Sequence, residues 1–362
     1  MTFFLSTAKV LICMGSGGVG KTTISTAVAY LAAAKGRKVL LLTIDPSQRL
    51  KTILGLSEDG SVKTIHAKEG VQFDAGVVNH EKVFSEFISR ALDASPERTE
   101  KLLKNKLYQQ LVSHLSGSQE FTALQRLHQG TQNEKYDLVI LDTPPAQHAI
   151  EFLQAPQKLS ALFREGIAKW FRKQENPGFL AKVVHFGTVK ALGAIEGLTG
   201  RQFFQELRDF FENVYEWSGR LEARLIEIQR MLAGPQTVFL LVTSHDLVKL
   251  TEAEVVAREL KKSGHDLKAV ILNRTQPLWV GQNVDKGWQE LRSKLESYYE
   301  ERQSQFQQWF EQHEMTKGGS PAKRNSGKVL QIPEMSKDVE SLDDIYFFIE
   351  YLAPLAEISG ND

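Results

Sequence analysis

The chain has 362 residues, 44 basic and 44 acidic side chains, and a single cysteine. That length admits one large α/β domain or two smaller ones, and 42% apolar with 24% charged residues excludes a disordered chain. Zero formal net charge argues against broad attraction to nucleic acid or anionic lipid, and the lone Cys13 excludes an intramolecular disulfide or a cysteine-paired metal site within one chain.

The opening MTFFLSTAKVLICMG has no basic n-region and no A-x-A-like cleavage site. Its apolar run Val10 to Met14 falls far short of the ~20 residues that span a bilayer. The expectation is a cytoplasmic protein without stable membrane insertion. One cysteine fits a reducing compartment.

In chain order, residues 9–14 (KVLICM) read as a buried strand ending at Gly15. A glycine-rich loop follows, then an alanine-rich helix from Lys21 to Lys35 stopped by Gly36. Lys38 to Ile44 is a second apolar strand. Strand, loop, helix, strand is the βαβ unit of a parallel sheet. Further strands are expected at Val71 to Val78, Leu138 to Leu141, Thr237 to Thr243 and Ala269 to Leu272, uniformly apolar as strands covered on both faces should be.

Helical stretches are expected at about 79–128 and 157–232, as subdomain elements of one domain spanning 1–362. The second stretch is rich in aromatics, among them Phe163, Trp170, Phe179, Phe203 and Trp217. These could pack among themselves and on the sheet, or line an apolar groove for a hydrophobic helix. A long helix follows at Gly287 to Glu314, then loop composition at 316–328, an extended piece at Leu330 to Pro333 and a helix at Leu342 to Leu352.

The segment Gly15-Ser16-Gly17-Gly18-Val19-Gly20-Lys21-Thr22 fits G-x-x-x-x-G-K-[ST]. Glycines let successive backbone N–H groups turn inward around phosphate oxygens. The following helix places its positive end at the same point. In this motif Lys21 reaches the β- and γ-phosphates, and the Thr22 hydroxyl ligates Mg²⁺. Asp142 and Asp45 each end an apolar strand near this loop. Such carboxylates can hold a Mg²⁺-bound water, or they can cap a turn.

Several segments together carry a family resemblance: GSGGVGKTT, LLTIDPSQRL (Leu41–Leu50), SGSQEFTALQRL (Ser116–Leu127), LDTPPAQHAIEFLQAP (Leu141–Pro156), VFLLVTSHDLVKL, VILNR (Val270–Arg274) and QIPEMSKDVESLDDI (Gln331–Ile345). In this order they resemble the arsenite-pump and GET-pathway ATPase family, within the MinD/ParA-like deviant P-loop class. The resemblance implies an α/β P-loop NTPase fold, with ATP and Mg²⁺ as cofactors. Lys21, Thr22, Thr23 and the loop backbone would hold triphosphate and metal. Asp45 would orient the attacking water, Asp142 would act through the metal, and His148 would lie in the segment that transmits nucleotide state. Asn273 would read adenine, with Pro333 and Glu334 covering the base. Its partners would be a second copy or a paralogue, with a hydrophobic helix as a client.

The chain departs from that family at two places. Where the family's loop carries a lysine that crosses to the opposite subunit's nucleotide, this chain has Ser16. Related trans-acting cations contribute about 10³–10⁵ in rate. Three consequences are open: slow hydrolysis in a nucleotide switch, pairing with a lysine-containing paralogue, or substitution by a nearby cation such as Lys9 or Arg49. The serine could also be tolerated with little effect. The single cysteine offers neither the Cys-x-x-Cys pair of the targeting ATPases nor a thiolate site for arsenite, so arsenite pumping is not expected.

Overall fold

A computed structural model describes residues 4–44, 48–92, 118–144, 149–161, 219–278, 288–312 and 328–357. Eight strands form one sheet: β1 (Val10–Gly15), β2 (Val39–Thr43), β3 (Val62–His66), β4 (Gln72–Val77), β5 (Leu138–Asp142), β6 (Thr237–Thr243), β7 (Leu267–Thr275) and β8 (Lys328–Pro333). Their order across the sheet is β3-β4-β2-β5-β1-β6-β7-β8. Every neighbouring pair is parallel except β3–β4. This is the α/β architecture that the βαβ pattern predicts.

The sequence-based strand positions hold to within a few residues, and Thr237–Thr243 holds at both ends. β3 has no counterpart among them. It is an edge strand, VKTIH, with only Ile65 buried, so it lacks the apolar run that marks the central strands. Lys328, expected to close a loop, instead opens β8 and pairs with Ala269. Residues 316–327 lie outside the described residues.

In chain order the helices are α1 (Phe4–Thr7), α2 (Lys21–Ala34), α3 (Gln48–Leu54), α4 (His80–Leu92), α5 (Ser118–Gln132), α6 (Ala149–Ala161), α7 (219–233), α8 (Leu247–Lys262), α9 (Gln289–Gln312) and α10 (Leu342–Leu352). The chain divides into two compact units. The first comprises Met1–Asn79, Gln125–Glu151 and Met231–Asp362, and it contains the whole sheet.

Within this unit, α2 and α10 cover one sheet face. Ile24, Val28 and Leu31 of α2 pack with Leu11, Ile140 and Leu240 of the sheet and with Ile345 and Phe348 of α10. Because α2 lies between sheet and helix, it is apolar on nearly every side, as a fully buried helix must be. Burying a side chain such as Ile24 contributes about 2 kcal/mol. The other face carries α8 and α9, whose Leu250 and Phe306 meet Leu272 and Val329. Asp246 caps α8 by accepting from the Val248 and Lys249 N–H groups. On α10 the reciprocal cap is Ser341 with Asp344.

The second unit comprises His80–Leu124 and Phe152–Arg230. Its described part includes an aromatic cluster: Phe87 and Phe121 meet edge to face at 5.4 Å, with Phe84 beside them. Residues 162–218, which hold the aromatics considered for a groove, lie outside the described residues. Among the described residues no helix is long and apolar enough to cross a membrane.

Candidate nucleotide site

β1 ends at Gly15, and the next strand across, β6, presses its backbone against that residue. Gly15 has φ +151, and a Cβ there would sit 2.1 Å from the Val242 carbonyl oxygen. No side chain fits, so the first loop position must be glycine. The turn runs through Ser16, Gly17, Gly18 and Val19 to Gly20, where φ is +92. A Cβ on Gly20 would lie 2.5 Å from Asn273 Nδ2. Conformation and space therefore both require glycine at the residue that precedes α2. No side chain caps α2, so its first N–H groups face the loop as donors for an anion.

Lys21 opens α2 and is buried, with its ammonium donating to the Ser16 carbonyl at 2.8 Å. Thr22 and Thr23 occupy the same first turn, and the Thr22 carbonyl accepts from Thr26 Oγ1 at 2.7 Å. Ser16 is fully buried, and among the described residues its hydroxyl has no hydrogen-bond partner.

Asp142 ends β5, with Cys13 of β1 and Thr43 of β2 as its register partners. Only 2% of it is exposed. Its Oδ2 accepts from Thr43 Oγ1 at 3.0 Å, while Oδ1 has no partner among the described residues. Burial pushes the carboxyl's pKa up, opposed by the nearby Thr22 hydroxyl, the Lys21 charge, and the Thr43 and Ser25 hydroxyls. A buried carboxylate oxygen and a buried hydroxyl without partners, beside a lysine and a helix N-terminus, fit a phosphate with its hydrated Mg²⁺. Thr43, which sets the Asp142 carboxylate, was not among the expected site residues. Its only sequence signal is a hydroxyl at the end of the apolar run VLLLT.

Asn273 sits near the end of β7 and is buried. Its Nδ2 donates to the Val19 carbonyl at 2.8 Å, tying the phosphate loop to β7. The amide that the resemblance assigns to a base holds the loop in this structure. Pro333 ends β8 opposite Thr275, and the Glu334 N–H donates to the Thr275 carbonyl at 3.1 Å. Asn273, Pro333 and Glu334 therefore gather at neighbouring strand ends. Tyr299 of α9, which sequence reasoning did not single out, donates to Glu334 Oε2 at 3.2 Å.

One expectation changes here. Lys9 precedes β1, six residues of strand away from the loop, or roughly 20 Å at ~3.3 Å per residue. A lysine side chain cannot cover that distance, so Lys9 does not replace a cation at position 16. Cys13 is wholly buried, and burial, then the Asp142 charge, pushes its thiol up to about 12. It is a packing residue rather than a reactive thiolate. Asp45, His148 and the Arg49 side chain lie outside the described residues.

A sequence model of the Anion-transporting ATPase family matches residues 8–317. The chain belongs to this family. Among its curated relatives, an ATPase ASNA1 homolog of Paramecium tetraurelia is 24% identical over 276 residues, 74% of this chain and 75% of the relative. An ATPase GET3 of Blastomyces gilchristii is 24% identical over 285 residues, covering 79% and 77%. An ATPase ASNA1 homolog of Cryptosporidium parvum is 24% identical over 304 residues, covering 81% and 73%.

Proposed function

We propose that this family member binds ATP with Mg²⁺ and hydrolyses it to ADP and phosphate as a dimeric nucleotide switch in the cytoplasm. The observation that supports this most is Asp142: a buried carboxylate at the strand end beside Lys21, with one oxygen that has no partner among the described residues. Mg²⁺, when bound, supplies charge stabilisation for the phosphates. Lys21 and the α2 N–H groups would bind the β- and γ-phosphates, and the Thr22 hydroxyl and, through water, Asp142 would hold the metal. Asp45 would position the water that attacks the γ-phosphate in line. Nucleotide state would then open and close the dimer, with a hydrophobic helix as the client.

A second reading is favoured by Ser16. Its buried hydroxyl carries no charge, and Lys9 is at the far end of the strand. A chain lacking that cation would hydrolyse slowly, or serve as the regulatory half of a pair with a lysine-containing paralogue.

Single-turnover ATP hydrolysis by the wild type and by Asp45→Asn separates these readings. The enzyme reading expects a measurable wild-type rate and a fall of at least tenfold in the variant. Equal negligible rates with tight ATP binding in both would overturn it. Native mass spectrometry from the source cell tests the pairing, since a pure homodimer removes the heterodimer.

A further inference from the structure

Arg274, near the end of β7, holds a backbone conformation that its side chain disfavours. Its φ is +57. The other non-glycine residue with a positive φ among those described is Glu69, in the turn between β3 and β4. In this left-handed region a Cβ crowds the following carbonyl oxygen, a contact that glycine avoids. The local cause is a β-bulge. Asn273 pairs with Ile332 and Thr275 with Pro333, which leaves Arg274 as the extra residue. A bulge re-aims a side chain, and such strain collects at places where the side chain is used.

The topology says where that side chain can act. β1, β6 and β7 run parallel, so the end of β7 lies at the same sheet edge as the phosphate loop that follows β1. β7 is the second strand from β1, about 10 Å away at ~4.8 Å per strand. The neighbouring Asn273 already crosses to the loop, with Nδ2 2.8 Å from the Val19 carbonyl. An arginine has twice as many bonds as an asparagine between Cα and its terminal nitrogens, which brings the loop and the space in front of it within reach.

The charge pattern says what it can hold. Arg274 is exposed and has no hydrogen bond or ion pair among the described residues. Of loop residues 15–22 only Lys21 is charged, and position 16 is a neutral serine. A triphosphate brings several negative charges to that loop. A guanidinium matches phosphate oxygens with paired, charge-assisted N–H bonds.

We propose that Arg274 binds the phosphate chain of the nucleotide held at this loop, supplying positive charge that the loop lacks at Ser16. The inference rests on the ATP-binding reading above and adds to it a cation from β7. The left-handed backbone at Arg274 is then a strain kept for the ligand.

The test compares ATP with inorganic tripolyphosphate, which has phosphates and no nucleoside, both with Mg²⁺, by calorimetry on the full chain. Arg274→Ala should weaken both ligands alike, by about tenfold, as the loss of a charge-assisted bond requires. Arg274→Lys, which keeps the charge and loses the fork, should retain more affinity than the alanine variant. Arg274→Gly should weaken both ligands as alanine does, and it should raise the thermal midpoint of the nucleotide-free protein by about 1–3 °C, because glycine accepts this φ. Weaker ATP binding with tripolyphosphate unchanged would place the side chain on the nucleoside and refute the proposal. So would unchanged affinity for both ligands, or a glycine variant less stable than the wild type, which would make Arg274 a structural residue. A wild type that binds neither ligand removes the nucleotide reading itself, and this proposal with it.

Discussion

Two buried aspartates of one sheet show opposite chemistry. Asp74 of β4 is 6% exposed and accepts from Thr64 at 2.7 Å, Lys135 at 2.5 Å and Tyr136 at 2.7 Å. Burial alone would raise its pKa, but the hydrogen bonds from Lys135, Thr64 and Tyr136 outweigh it and hold the carboxyl below the usual range. Asp142 is as deeply buried, yet one oxygen has no partner among the described residues, and its pKa is pushed up. A satisfied buried carboxylate stabilises the fold. An unsatisfied one costs stability and is retained where something else is to bind.

The largest effect that could break this contrast belongs to Lys21. Lys21→Ala should cut ATP hydrolysis by about 10²–10³-fold, while the nucleotide-free protein stays folded and still unfolds in a single cooperative thermal transition. Comparable loss of fold would make Lys21 a structural residue and weaken the division. Asp142→Asn should lower Mg²⁺-dependent turnover at least tenfold. The same change should raise the stability of the nucleotide-free protein by about 1 kcal/mol, because it removes a poorly compensated buried charge. A destabilised Asp142→Asn would show that its carboxylate supports the fold as Asp74 does.

The smallest effect sharpens the other side. Asp74→Asn should cost about 1–3 kcal/mol in denaturant unfolding at pH 7 and leave ATP affinity unchanged. The exposed Lys135 end of the network argues for the lower half of that range. The sign with pH follows from the lowered carboxyl: its stabilisation is complete above the ordinary carboxylate pKa near 4. It is lost as pH falls through the lower folded value. The difference between wild type and variant should therefore be constant from pH 6 to 8 and shrink in acid below about pH 4. A difference that grew in acid would assign the stabilisation to another group.

Much of the fold was legible because buried parallel strands and an amphipathic or buried helix leave strong one-dimensional patterns. Val10–Gly15, Val39–Thr43 and Leu138–Asp142 are largely apolar runs, with the loop following the first and Asp142 closing the last. β3 was not legible, since an exposed antiparallel edge strand needs only Ile65 to face the core. On the site, the motif named Lys21, Thr22 and the glycines, and the strand-end position named Asp142. Thr43, Val242 and Tyr299 were not visible in the same way, because each acts on a residue far away in sequence, the first two between strands and Tyr299 from a helix.

Sequence alone therefore determined the βαβ start, the phosphate loop, the lack of thiol chemistry at a lone cysteine and a neutral body with only local positive charge. Those are local properties: spacing, composition and the residue types that a given chemistry requires. Tertiary structure decided which of the polar residues are satisfied. It placed Asp142 between Cys13 and Thr43, put Lys9 at the wrong end of its strand and brought Tyr299 onto Glu334. Satisfaction of a buried polar atom depends on neighbours brought in by strand order, and strand order is not written in any single stretch of the chain.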